Sequence, residues 1–268
     1  MNWRRAKNIL LMVLVLLNVF LFINVLSVKD PFDITGKYQK DAKKALQAAG
    51  VTVSGNIPSS SPVGRISFSQ REASYYTEFV HRLTGLNVED SAWASDNIFN
   101  NGGTSLSFSD ENFTLETSEE LFPTENTKKL DQKLKSWLRE KFGNEAFVQD
   151  GFAQNGDTIT AEYVRKYKNL PLFAQRITFT ITNNRLAKME GSLKLLYDIK
   201  ASKSTNEIIS PNIVLLTGKD KVQGIVSSID LGYLSLQGDD LYDTPVWRIT
   251  LASGEKAWFN AYTGEFLE

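Results

Sequence analysis

Arg176-Ile177-Thr178-Phe179-Thr180-Ile181-Thr182 alternates polar and apolar residues without a break, and Asn183-Asn184 follows directly. Successive side chains of a strand point to opposite faces, so this spacing predicts a strand that buries Ile177, Phe179 and Ile181 together. Asparagine tolerates the positive φ that a two-residue hairpin turn demands, so Asn183-Asn184 returns the chain through Arg185–Leu193. The pattern recurs near the end of the chain. Trp247, Ile249 and Leu251 alternate with Val246, Arg248 and Thr250, and Ser253-Gly254 turns the chain into Lys256–Ala261.

Between these stretches the period lengthens to that of a helix. Tyr38, Ala42, Ala45, Leu46 and Ala49 share one face, and Gly50 supplies a stop. Leu130, Leu134, Trp137, Leu138 and Phe142 form a stronger face from about Glu125, between Pro123-Thr124 and Gly143. Ser210-Pro211 predicts a short third helix, with serine capping and proline in the first turn. Trp247 is expected on the second helix and Trp258 on the opposite face of the hairpin. Ser54–Gly64 reads as an exposed loop and Asn100-Asn101-Gly102-Gly103 as a turn. Hairpins dominate, and long βαβ crossovers are scarce. The expected class is α+β, with helices on one face of antiparallel sheets.

The first residues set an address. Arg4, Arg5 and Lys7 precede ILLMVLVLLNVFLFINVL, the run Ile9–Leu26, interrupted only by Asn18 and Asn24. As a helix it is roughly 27 Å long, close to the thickness of a hydrocarbon core. Basic residues stay on the cytoplasmic side, whereas Lys29 is followed at once by Asp30 and Asp33. The expected layout is a cytoplasmic stub over 1–8 and a transmembrane helix over 9–28, with the remainder outside the cell. A boundary where Glu116–Pro123 breaks the periodicity divides that remainder into lobes at 29–122 and 123–268. Val25-Leu26-Ser27 would suit cleavage of a signal peptide, but such signals carry an apolar stretch of only about 7–15 residues. The helix is therefore expected to be retained.

Removing residues 1–28 leaves 27 basic and 31 acidic residues, a mildly acidic balance that argues against nucleic acid as a partner. The chain has no cysteine, which excludes disulfides, thiolate metal sites and thiol nucleophiles. His81 is its single histidine, and Tyr-Thr-Glu-Phe-Val-His-Arg around it suits a solvated or packed side chain better than a catalytic one. Glu119-Glu120 and Asp239-Asp240 are adjacent carboxylates of the kind that loops solvate. Asp239, Asp240 and Asp243 lack the spacing of a calcium loop. No catalytic residue, cofactor or metal site is expected, and the chain does not read as an enzyme. The amides inside the apolar run carry more information, because an amide in hydrocarbon must find a hydrogen-bond partner. Asn18 and Phe22 share a face and are the candidate partner-binding residues; Asn24 lies near the outer boundary and can reach headgroups.

The opening MNWRRAKNILLMVLVLLNVFLF resembles the start of YycI-type proteins, in which a short Trp-Lys/Arg stub precedes a helix containing Leu-Asn-x-Phe-Leu. The closing PVWRI…AWFNAYTGE is similar to that family's last hairpin, itself related to PepSY-like modules. The resemblance implies a single-pass membrane protein of low-G+C Gram-positive bacteria, with an extracellular region of two PepSY-like, antiparallel-sheet-plus-helix lobes. It implies association with a YycH-type partner and with the YycG (WalK) sensor histidine kinase, as a homo- or hetero-dimer, in control of cell-wall homeostasis. Two other readings stay open: a tethered PepSY-like module that binds peptides or inhibits a protease, and an anchored cell-wall enzyme with paired carboxylates in a cleft.

Overall fold

The structure is a computed structural model that describes residues 31–89, 97–117, 127–143, 145–202, 206–235 and 242–267, with Met12, Leu14, Val15, Leu17 and Asn18. Helix α1 (Pro31–Ala48) is followed by β1 (Thr52–Val53), β2 (Ile66–Ser69) and α2 (Ala73–Thr84). Strands β3 (Ile98–Asn101), β4 (Thr104–Phe108) and β5 (Asn112–Thr117) precede α3 (Thr127–Phe142). A four-strand meander comes next: β6 (Ala146–Asn155), β7 (Thr158–Tyr167), β8 (Leu170–Thr182) and β9 (Arg185–Ser192). The rest comprises a 3₁₀ turn (Leu193–Leu196), β10 (Asp198–Ala201), α4 (Pro211–Thr217), β11 (Ile225–Ser235), β12 (Tyr242–Leu251), β13 (Lys256–Asn260) and β14 (Phe266–Leu267). This is a sheet-dominated α+β fold.

The opening hairpin forms as its spacing demands. Ile177, Phe179 and Ile181 are buried, and Asn183 and Asn184 both take positive φ, at 50° and 61°, so the turn follows the twist of its strands. The expected face of α3 lies on this sheet, with Leu130, Leu134, Trp137, Leu138 and Phe142 all buried. Trp137 meets Phe179 edge-on at 5.5 Å, and the Tyr163 hydroxyl donates to Asp131 of α3 at 2.8 Å. Helix α2 adds Tyr76, Phe79 and Val80 to the same core.

A second core lies under α1 and α4 and takes residues from both ends of the described chain: Leu46, Val51 and Ile57 meet Val214, Leu215, Trp247, Ile249 and Phe259. Here the structure corrects one expectation. Trp247 does not pack on α3. Its register opposite Phe259 places it in the second core, where its indole N–H donates to the Ile209 carbonyl at 2.8 Å. The face of α3 is already filled by Phe179 and its neighbours. Trp258 does lie on the opposite face of the hairpin, against Phe173. Ser210 precedes α4 as expected, yet its side chain makes no capping hydrogen bond, and Pro211 fills the first turn. The division between the cores does not coincide with 122/123, because β5 pairs with β9 and Phe113 and Leu115 share the core of Phe179. Most of the 116–123 stretch lies outside the described residues.

The strands form one sheet whose main path is β10-β2-β12-β11-β8-β9-β5-β4-β3, with β7 and then β6 branching from β8, β13 and then β14 from β12, and β1 pairing β11. Its weak point is β8. Leu172 pairs in parallel with Tyr233 of β11, and the pairing with β9 begins only at Ile177 opposite Gly191. On the other edge the β7 register jumps from Val164–Arg176 to Arg165–Leu172. Phe173, Ala174 and Gln175 therefore bulge out of both ladders where β8 passes between the cores. Close approach at this crossing requires Gly232, since a Cβ there would lie 2.4 Å from the Phe173 ring and 2.6 Å from the Pro171 carbonyl oxygen. Gly232→Ala is expected to cost about 1–3 kcal/mol of stability in urea unfolding, as overpacking does. An unchanged unfolding midpoint would show that the crossing has slack.

Candidate functional site

The three bulged residues of β8 each serve a different neighbour. Gln175 is fully buried, and its side-chain carbonyl accepts from Arg165 Nη1 at 3.2 Å. Arg165 is itself buried and grips Glu145 with two parallel bonds, Nε to Oε2 at 2.8 Å and Nη2 to Oε1 at 2.5 Å. Its Nη1 also donates to the Tyr197 carbonyl at 3.2 Å. Taking a guanidinium out of water is costly, and this set of acceptors is what makes the burial tolerable. Arg71 extends the network, reaching Glu145 at 3.3 Å and Asp198 at 2.7 Å.

Phe173 points to the second lobe. Its ring meets Trp258 at 4.8 Å, and the Arg248 guanidinium lies 4.3 Å from its centroid. Arg248 also donates to Asp150 Oδ1 and, at 3.1 Å, to Asp230 Oδ2. Asp150 arrives there through a bulge. The β6–β7 register skips from Gln149–Tyr163 to Gly151–Glu162, leaving Asp150 as the extra residue and redirecting its side chain. That side chain is only 3% exposed, and Lys256 donates to its second oxygen at 3.1 Å, with Arg176 at 3.9 Å. Burial alone would raise the Asp150 carboxyl, but the hydrogen bond and charge of Arg248, joined by Lys256, hold it below the usual carboxylate range.

Ala174 lines two adjoining clefts. The larger, about 460 Å³, is bounded by Gln70, Asn112, Ser192, Lys194 and Ser235 among others. The smaller, about 360 Å³, shares Asn112, Ala174 and Ser192 and continues to Arg176 and Glu190. At the margin of the larger cleft, Lys194 Nζ donates to Ser235 Oγ at 2.7 Å, and Ser235 donates to the buried Asp243 at 2.5 Å. The carboxylates named here are engaged by cations or a hydroxyl. The arrangement ties two lobes together around a polar cleft, which suits recognition by contact.

Of the residues singled out from the sequence, Asp243 and Trp258 belong to this site and the others lie elsewhere. Asn18 is helical, and its Nδ2 donates to the Leu14 carbonyl at 3.0 Å; Met12, Leu14, Val15 and Leu17 are exposed around it. Phe22 and Asn24 lie outside the described residues, as do Glu119-Glu120 and Asp239-Asp240. No helix among the described residues is long and apolar enough to cross a membrane. His81 sits in the last turn of α2 with Nδ1 3.1 Å from the Leu86 carbonyl, and so donates its proton there. No group of three or more His, Cys, Asp or Glu among the described residues could hold a metal ion. Sequence reasoning missed Asp150, although a charge followed by glycine within a strand pattern, Gln149-Asp150-Gly151, is the signature of a bulge.

The family model described as "YycI protein" matches residues 30–262. Among solved structures, the Bacillus megaterium YpeB C-terminal domain is similar over 74% of this chain and 98% of its own, at 11% identity and a TM-score of 0.41. No curated protein matches the chain.

The ion pairs at Asp150 predict an acid-sensitive stability. A carboxyl lowered by folding stabilises the fold above its unfolded value of about 3.9 and ceases to do so as pH falls through the folded value. Asp150→Ala is expected to cost about 3–5 kcal/mol at neutral pH, the usual penalty for stranding a buried charge, here that of Arg248. In denaturation measured across pH, that gap should hold above about pH 5 and narrow progressively as pH falls below about 4 through the lower folded value. A gap that stays constant into acid would contradict the assignment.

Proposed function

The chain belongs to the YycI family, and we propose from that membership that it is a membrane-anchored accessory regulator of a YycG/WalK-type sensor histidine kinase. YycI proteins are regulators in that kinase's system, and the family match over residues 30–262 is the observation that carries the reading. In this proposal residues 9–28 cross the cell membrane with the N-terminus inside, and the lobes lie outside, beside a YycH-type partner. Regulation by contact asks for a face that binds one state of the sensor better than the other, and it needs no catalysis. Asn18 and Phe22 supply that face on the anchor. The bond from Asn18 to Leu14 uses one amide N–H; the second N–H and the side-chain oxygen can meet a neighbouring helix. Such bonds average about 0.6 kcal/mol, so Asn18 tunes the association, and packing of the apolar helix creates it.

Helix α1 (Pro31–Ala48) follows the proposed anchor in the chain and places Ala42 and Leu46 on the second core, so displacement of the anchor is felt first by the lobe that holds Trp247. A second reading, a tethered PepSY-like module that takes up a peptide or inhibits a protease, draws on the polar cleft around Asn112, Ala174 and Ser192.

Residues 1–28 fused to an unrelated ectodomain provide the test, with phosphorylation of the kinase's response regulator as the readout. A coupling of 1–3 kcal/mol corresponds to a change of about 5–150-fold in the sensor's balance of states, and a change of that order is expected. No change from a normally inserted fusion, with full regulation by residues 29–268 alone, would move the activity to the lobes and favour the cleft.

A further inference from the structure

We propose that the two lobes form a latched hinge: β8 bends at Phe173–Gln175, and the Asp150 ion pairs and the Lys194–Ser235–Asp243 chain hold it closed. Each lobe has its own large core, one around Phe179 and Leu134 and the other around Trp247 and Phe259. The apolar cluster between them is small, with Ile66, Phe68, Leu172 and Tyr233 as its buried members. Beside it and the pairing of β2 with β12 and of β8 with β11, polar ties cross the boundary. Asp150 of β6 reaches Arg248 and Lys256 of β12 and β13. Lys194, just after β9, reaches Ser235 of β11, which passes the contact to Asp243.

Polar inter-lobe boundaries permit relative motion in a way that large apolar ones do not. A desolvated ion pair is also sharply conditional. It is near neutral when both partners are in place and costly once one is removed, so it favours closed or open over intermediate geometries. Hinges are a few residues that absorb a change in φ and ψ, and residues outside both ladders of a continuous strand are free to do so. The cleft beside Ala174 lies at this crossing, lined by Asn112 and Ser192 of one lobe and Ser235 of the other. Opening the hinge would change its width. The latch holds whichever partner reads it, so it stands apart from the kinase reading.

The native chain has no cysteine, so introduced pairs can be spin-labelled without background. Glu140→Cys on α3 with Ala252→Cys after β12 spans the lobes; Glu140→Cys with Glu116→Cys stays within one. Double electron–electron resonance on the full chain in detergent then compares the native sequence with Asp150→Asn. A shift of more than about 2 Å, or a broadened distribution, is expected for the inter-lobe pair alone. An inter-lobe distribution identical to the native one would overturn the latch. Should Asp150→Asn also disturb the pair within one lobe, Ser235→Ala, which severs the other tie, decides by the same two criteria.

Discussion

Strand β8 leaves the small cluster of Leu172 and Tyr233 for the core of Phe179, and it changes partners on the way, over three residues. Leu172 still answers to β11, Ile177 already answers to β9, and Phe173, Ala174 and Gln175 belong to neither ladder. Three contacts at the boundary depend on that break. Gln175 meets Arg165 because it faces the first core, Phe173 stacks with Trp258 and Arg248 because it faces the second lobe, and Ala174 lines the cleft. Regular pairing through this stretch would restore strict alternation and move at least one of these side chains to the wrong face.

The balance of forces differs on the two sides of the break. Within each lobe the stabilisation is non-directional burial, at roughly 1.5–3 kcal/mol for each large apolar side chain fully removed from water. Across the boundary the Asp150 ion pairs add a directional contribution, because Arg248 and Lys256 act on Asp150 only at hydrogen-bond distance. Rigid lobes joined by a conditional contact suit a regulator that works by contact, where a small difference in affinity between two states of a partner is the whole of the effect. The connection of α1 to the Trp247 core gives such a difference a path to or from the anchor proposed for residues 9–28.

Much of this fold was legible because it rests on periodicity. The 176–182 strand, its Asn-Asn turn and the face of α3 follow from spacings that tertiary contacts reinforce. Trp247 was misplaced because alternation tells which residues share a face and is silent about which helix covers it. The closing of the chain on itself, with Leu46 and Ile57 in one core with Trp247, is a contact between distant segments that no local pattern encodes. The boundary was hidden for a different reason. Arg165, Asp150 and Arg248 are buried charges, and charged residues in strands read as solvent-facing until their partners are seen. Only the glycine after Asp150 hinted at a bulge. The family resemblance rested on the two ends of the chain, and the match over residues 30–262 extends it through the middle, where the motifs are weakest.

Native-state hydrogen exchange along β8 tests the partner change most directly. Amides that open only on global unfolding are protected by the full stability of the fold, whereas amides outside a ladder exchange through local fluctuations. Strong protection is predicted on the stretch Ile177–Ile181, with a sharp minimum at Phe173–Gln175. Uniform protection from Leu172 to Ile181 would mean that β8 runs unbroken between the lobes, and the two-lobe account would fail with it.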